Sequence, residues 1–323
     1  MTWTVISTGT TSVTGGALGA WDTGGMGDGL YTLRLVVTDT IGHASAYSVT
    51  VTVDNTAPWP PFAPLRIEPD IWVPTNAFTV SWGSNPSDVS GIAGAYYKVG
   101  TAPTSTTDGV YRVGANITSI SGITVTADGE YRVYVWLRDN AGNADHHRRQ
   151  ISENTIRYDA TPPNVTLVSP TGGQWRGGDV ITIAWTATDA ISGLQPTPIT
   201  LSYSTDGGGS WTTILVTNNT GSYNWVTPMV DSDQCQVRVE AVDQAGNVGQ
   251  ATSANFTIDS TAPGQPANLV AAPPGWNRFN SFTVSWDNPA DLTGIAGAYH
   301  KVGDPPASAT DGAYQAGGLT FRT

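Results

Sequence analysis

Six aspartates recur at two fixed places in this sequence, and carboxylate oxygens are what a hard divalent cation takes as ligands. Asp54, Asp159 and Asp259 lie in the tails Val53-Asp54-Asn55-Thr56-Ala57-Pro58, Tyr158-Asp159-Ala160-Thr161-Pro162-Pro163 and Ile258-Asp259-Ser260-Thr261-Ala262-Pro263. Asp39, Asp139 and Asp243 open the segments Asp39-Thr40-Ile41-Gly42-His43, Asp139-Asn140-Ala141-Gly142-Asn143 and Asp243-Gln244-Ala245-Gly246-Asn247. Calcium wants six or more oxygens, and no single segment here supplies a dense acidic ladder. The expectation is therefore an interdomain calcium site assembled where neighbouring modules meet. The competing role for each aspartate is to cap its own turn.

Other chemistries find less support. His146 and His147 sit beside Arg148 and Arg149. On a strand, adjacent residues point to opposite faces, so these imidazoles are expected not to share a metal. With four histidines in the chain, no Ser/His/Asp set can be assembled, and no glycine-rich phosphate loop is present. Most aspartates neighbour Gly, Asn or Ser, where a carboxylate serves turn backbone rather than catalysis. The sequence thus suggests no catalytic residue, and no cofactor other than calcium. A net charge of −12 with 14 Lys+Arg offers no basic stripe for nucleic acid. Cys235 is the only cysteine, which excludes an intrachain disulfide framework.

The two aspartate markers keep a common beat near 100 residues, and a third marker joins them: an alternating apolar strand ending in Trp82, Trp185 or Trp286. A fixed period of that size marks whole domains in series. The register gives residues 1–57 as the late half of a module, 58–161 and 162–262 as complete modules, and 263–323 as an early half. With 12% charged residues, 37 Gly and 21 Pro, the composition suits short strands and many turns. No stretch is long and apolar enough for a membrane span. The N-terminus lacks a basic segment followed by an apolar one, so an exported protein would carry its signal outside this chain.

Alternation assigns faces. Tyr131, Val133, Val135 and Leu137 are expected inside, with Arg132, Tyr134, Trp136 and Arg138 outside. Tyr31, Leu33, Leu35 and Val37 repeat the inward set in the first module, and Cys235, Val237, Val239 and Ala241 repeat it in the third. Phe78, Val80 and Trp82, Ile181, Ile183 and Trp185, and Phe282, Val284 and Trp286 each point one way, so each tryptophan plugs a core between two sheets. Turns at Asp128-Gly129, Asp206-Gly207 and the Ala-Gly-Asn triplets space the strands as in a sandwich.

On these residues the chain resembles two module families. Phe78-Thr79-Val80-Ser81-Trp82 and Gly91-Ile92-Ala93-Gly94-Ala95-Tyr96-Tyr97-Lys98-Val99 look like a fibronectin type III domain, and Gly297, Tyr299, Lys301, Asp311 and Gly312 repeat that pattern in the last segment. Asp28-Gly29-Leu30-Tyr31 and Ala241-Val242-Asp243-Gln244-Ala245-Gly246-Asn247 are similar to bacterial Ig-like repeats of large surface and secreted proteins. The resemblance implies an all-β fold of tandem Ig-like and fibronectin type III-like β-sandwiches, an elongated array with incomplete terminal domains, in an extracellular or cell-surface setting. Ser204-Thr205-Asp206-Gly207-Gly208-Gly209-Ser210-Trp211 also fits the Asp-box of sialidase-like propellers, but a propeller needs several such hairpins and this is a single turn.

Exposed aromatic rings would be the contact residues of such an array. Trp136, Tyr134, Trp59 and Trp72 are the expected partner-binding set, facing neighbouring domains of the same chain or, alternatively, sugar rings. Sequons stand at Asn116, Asn164, Asn218 and Asn255. The expected role is a non-enzymatic structural or adhesive segment, a semi-rigid spacer whose Pro-containing linkers limit bending. Two rivals follow: head-to-tail self-assembly, with one chain's tail completing another's head through unpaired edges, and a carbohydrate-binding accessory region of a secreted polysaccharide-active enzyme.

Overall fold

The structure is a computed structural model that describes every residue except 1, 2, 12–14, 277, 279, 280, 318, 319 and 323. The described residues form strands, turns and loops without a helix. They divide into two compact units, residues 1–161 and 162–323.

The first unit opens with a hairpin of β1 (Gly29–Thr38) and β2 (Ala44–Val53), paired antiparallel from Gly29↔Val53 to Thr38↔Ala44. A sandwich follows: β3 (Arg66–Glu68), β4 (Phe78–Ser81), β5 (Ile92–Val99), β6 (Val110–Val113), β7 (Ser119–Ile123), β8 (Gly129–Tyr131), β9 (Val133–Asp139), β10 (Gln150–Ile151) and β11 (Ile156–Tyr158). One sheet has the order β3-β4-β7 and the other β10-β9-β5-β6, with β8 paired to β11. Between them Phe78, Val80, Trp82, Val133, Val135, Leu137 and Ile156 are buried in one core. Trp82 satisfies its indole N–H by donating to Asn85 Oδ1 at 2.7 Å, which lets a polar ring fill an apolar layer.

The second unit repeats the plan with β12 (Asn164–Ser169), β13 (Gln174–Arg176), β14 (Val180–Thr188), β15 (Leu194–Ser204), β16 (Thr212–Thr217), β17 (Ser222–Val226), β18 (Ser232–Asp243), β19 (Val248–Thr252) and β20 (Phe256–Asp259). Its sheets run β12-β14-β17 and β13-β20-β18-β15-β16, with β19 also on β18. Ile181, Ile183, Trp185, Cys235, Val237, Val239 and Ala241 form the core. Burial holds the Cys235 thiol above its ordinary pKa, as expected of an unreactive sulfur. Beyond it lie β21 (Ala267–Ala272), β22 (Thr283–Asp287), β23 (Gly297–His300), β24 (Ala313–Ala316) and β25 (Thr320–Arg322), in the order β21-β22-β25 with a separate β23–β24 hairpin.

The end segments depart from the expected burial. Tyr31 and Leu33 are partly covered, but Leu35 is 47% and Val37 57% exposed, because a single hairpin has no second layer to pack on. In the last segment Leu269, Phe282, Val284, Trp286, Tyr299 and Val302 line an open apolar cavity of about 870 Å³.

Candidate functional site

Each hairpin aspartate is held by the turn that follows it. Asp139 Oδ1 accepts from the Gly142 and Asn143 amides, both at 2.7 Å, and Oδ2 accepts from Asn143 Nδ2 at 2.9 Å. Asp243 binds Asn247 the same way, at 2.8 and 2.7 Å. In both turns the glycine has positive φ, 102° at Gly142 and 91° at Gly246, which closes the chain back on the carboxylate. Asp39 has the equivalent turn, accepting from Ile41 and His43.

Asp54 links this turn to the sandwich. Its Oδ2 accepts from the Ser90 amide at 3.0 Å, and its carbonyl accepts from Asn143 Nδ2 at 2.9 Å. Asp88, whose Oδ1 accepts from the Ser90 amide at 3.2 Å, completes the group. Carboxylate oxygens of Asp54, Asp88 and Asp139 lie within 4.8 Å of one another. Burial first, then the charges of Asp54 and Asp139, raise the pKa of Asp88, so the folded chain crowds negative charge here at a cost. A hard cation would offset that repulsion. The three carboxylates fit calcium as oxygen donors, with the rest of its coordination left to backbone carbonyls and water. A cleft of about 320 Å³ beside them is lined by Asp28, Asp54, Thr56, Trp59 and Asp88.

The second unit carries a partial counterpart. Asp259 Oδ2 accepts from Thr293 Oγ1 at 2.8 Å, and Asp291 Oδ1 accepts from the Thr293 amide at 3.1 Å. Both acids line a cavity of about 610 Å³ with Ser260 and Thr261. Among the described residues no third carboxylate joins this pair into a group.

Within residues 1–161 the structure thus brings Asp54 and Asp139, two of the six aspartates expected to bind metal, together. Asp39 stays on its exposed turn, outside any such group. Asp159 is buried and accepts from the Thr161 amide at 3.0 Å, and Asp243 is buried in its own hairpin. Sequence reading missed Asp88. It also missed Asp28, Asp128 and Asp231, which accept from the backbone amides of Asn55, Ala160 and Ser260 and so fix each linker. The signal was present, since each of the three precedes its linker aspartate by 26 to 31 residues.

Trp136 requires a correction. It is fully buried, stacked on Tyr96 with centroids 5.4 Å apart, and its Nε1 donates to the Thr106 carbonyl at 2.9 Å. The alternation placed it on the outer side of the sheet, but a loop over residues 101–109 covers that side. Asp108 ties the loop down by accepting from Lys98 Nζ, the Thr104 amide and Thr104 Oγ1, each at 2.7 Å. The Lys98 hydrogen bond, ahead of those from Thr104, holds the Asp108 carboxyl well below the usual range. Tyr134 is half-buried with Arg149 over its ring, Trp72 is half-buried, and Trp59 is 64% exposed beneath the Arg148 guanidinium at 4.6 Å.

The histidines are corrected too. His146 and His147 occupy a turn rather than a strand, and their rings lie 4.0 Å apart. In the Asp-box segment, Asp206 Oδ1 accepts from Ser204 Oγ at 2.6 Å and from the Ser210 amide at 2.9 Å, which lowers its pKa to about 2. That carboxylate is engaged by its own turn.

The fold and these turns define a class: tandem Ig-like and fibronectin type III-like β-sandwich modules. Residues 202–260 match the bacterial Ig-like domain family. Human Roundabout homolog 3 is 22% identical over 252 residues, covering 74% of this chain, and the chain spans 18% of that relative's length. Among solved structures, the fibronectin(III)-like modules of Clostridium thermocellum CbhA align over 60% of this chain and 93% of theirs (14% identity, TM-score 0.32). The chicken CNTN1 FN1–FN3 domains align over 82% and 88% (19%, 0.31). A Ca2+-stabilized adhesin with which an Antarctic bacterium binds ice aligns over 83% and 67% (14%, 0.36).

Proposed function

We propose that this chain is a non-enzymatic structural and adhesive segment of an exported cell-surface protein, a semi-rigid spacer whose linker at Asp54 is braced by calcium. The observation that carries the reading is the convergence of Asp54, Asp88 and Asp139 where the first hairpin runs into the sandwich. A linker aspartate, a loop aspartate and a hairpin aspartate held by one cation would fix the bend between the hairpin and the sandwich. The cores support the non-enzymatic part, since each complete sandwich is filled by its own side chains. The match of residues 202–260 to a bacterial Ig-like family supports the surface setting. Carbohydrate binding through Trp136 loses its ring to burial.

Calorimetric melting of the whole chain tests this. Millimolar calcium is expected to raise the melting temperature of the transition containing residues 58–161, and a chelator to reverse the change. An Asp88→Ala chain should melt at one temperature in both conditions. A transition indifferent to calcium in the unmodified chain would reject the brace.

A further inference from the structure

The turn that follows the Asp139 hairpin in the first unit carries a feature that the calcium reading does not use. Asp145, His146 and His147 present a carboxylate oxygen and two imidazole nitrogens within 4.8 Å of one another. The turn is closed by the Arg148 amide donating to the Asp145 carbonyl at 3.0 Å, and by the His147 amide donating to Asp145 Oδ1 at 2.9 Å. Both rings thereby come to one side, 39° from parallel.

His146 supplies the independent observation. Its side chain is 15% exposed, and its Nδ1 atom is buried without a hydrogen-bond partner. Asp145 Oδ1 lies 4.0 Å from it, too far for a hydrogen bond. A buried imidazole nitrogen left without a partner costs free energy that a ligand on that nitrogen would recover.

We propose that Asp145, His146 and His147 bind a borderline transition-metal ion of the zinc class, distinct from the calcium group at Asp54, Asp88 and Asp139. Two imidazoles and one carboxylate are the donors zinc prefers over calcium, and water would complete four-fold coordination. Tetrahedral zinc keeps its ligand atoms roughly 3.3 Å apart, so the three groups close by a small adjustment of this partly buried turn. Two cations lie nearby. Arg148 Nε is 3.8 Å from Asp145 Oδ2, but its Nη1 donates to the Ala57 carbonyl and its guanidinium lies over Trp59. Arg149 donates to the His146 carbonyl and lies over Tyr134. Arg149 is thus held by other partners, while Arg148 divides its guanidinium among Ala57, Trp59 and Asp145 Oδ2, and the two Asp145 oxygens still keep lone pairs for a metal. Because Arg148 also grips the linker at Ala57, metal on the turn would stiffen the same junction.

Isothermal titration of the full chain with zinc, in saturating calcium so that the aspartate group is already occupied, tests the site. One saturable zinc per chain is expected, weakened roughly ten-fold or more by His146→Asn and by His147→Asn and unchanged by His43→Asn. No saturable binding, or binding that survives both substitutions, would overturn the proposal. Should a variant fail to fold, the imidazole proton resonances of the unmodified chain decide. Zinc must then shift those of His146 and His147, and shifts confined to His43 or His300 would refute the site.

Discussion

The first hairpin and the sandwich beside it carry one pattern with two outcomes. Tyr31, Leu33, Leu35 and Val37 stand where Tyr131, Val133, Val135 and Leu137 stand, and each set follows an Asp-Gly pair with glycine φ near 150° (148° at Gly29, 145° at Gly129). Both tyrosines donate to the carbonyl four residues back, at 2.8 and 3.0 Å. Yet Val133 and Val135 are fully buried while Leu35 and Val37 are half exposed. Period-two alternation therefore selects a face, and burial depends on whether a second sheet lies over it.

Substitutions can break or sharpen this contrast. The largest effect is expected from Trp82→Ala, which removes the plug of a closed core and should cost about 3–5 kcal/mol in denaturant unfolding. Leu35→Ala, on the uncovered face, should stay within about 0.5 kcal/mol. A comparable loss from both would mean that the hairpin face is covered in solution.

The turns give the next comparison. Asp139→Ala removes a buried carboxylate and leaves two backbone amides and an asparagine side chain of a partly buried turn without their acceptor, and should destabilise the sandwich by about 1–3 kcal/mol. Asp39→Ala, on an exposed turn, should barely move the melting temperature. Equal shifts would show that burial does not set the value of this cap.

The smallest expected effect is electrostatic. Because the folded pKa of Asp88 is raised, the folded state holds its proton more tightly than the unfolded state. Its ionisation therefore destabilises the fold at neutral pH, and that penalty is relieved as pH falls through the raised pKa. Asp88→Asn should raise the calcium-free melting temperature slightly at pH 7 and flatten its dependence on pH above the ordinary carboxylate pKa. Asp108 has the opposite sign. Its lowered pKa contributes stability above the usual carboxylate pKa that is lost only in strong acid. An Asp88→Asn chain that melts lower than the parent at pH 7 without calcium would contradict the repulsion.

Much of this architecture could be read from residue order. Trp82, Trp185 and Trp286 announce their strands through alternating apolar neighbours, and all three are buried. Sequence order places Trp136 on the outer side of its sheet as a contact residue, and its burial could not be read, because alternation distinguishes the two sides of a sheet but does not say that residues 101–109 fold over one of them. His146 and His147 were misplaced for a related reason: the strand stops at Asp139, and the turn that follows obeys no two-residue period. The acidic group was half legible. Asp54 and Asp139 repeat in conspicuous motifs, whereas Asp88 sits in an irregular loop and joins them only through the fold.

Amide hydrogen exchange of the intact chain tests the central claim, that separate two-layer cores and not the strand pattern alone hold these modules. The amides of β9 and β18 are predicted to be protected to the level of global unfolding, and those of β1 and β2 to exchange orders of magnitude faster. Equal protection across all four strands would contradict the account.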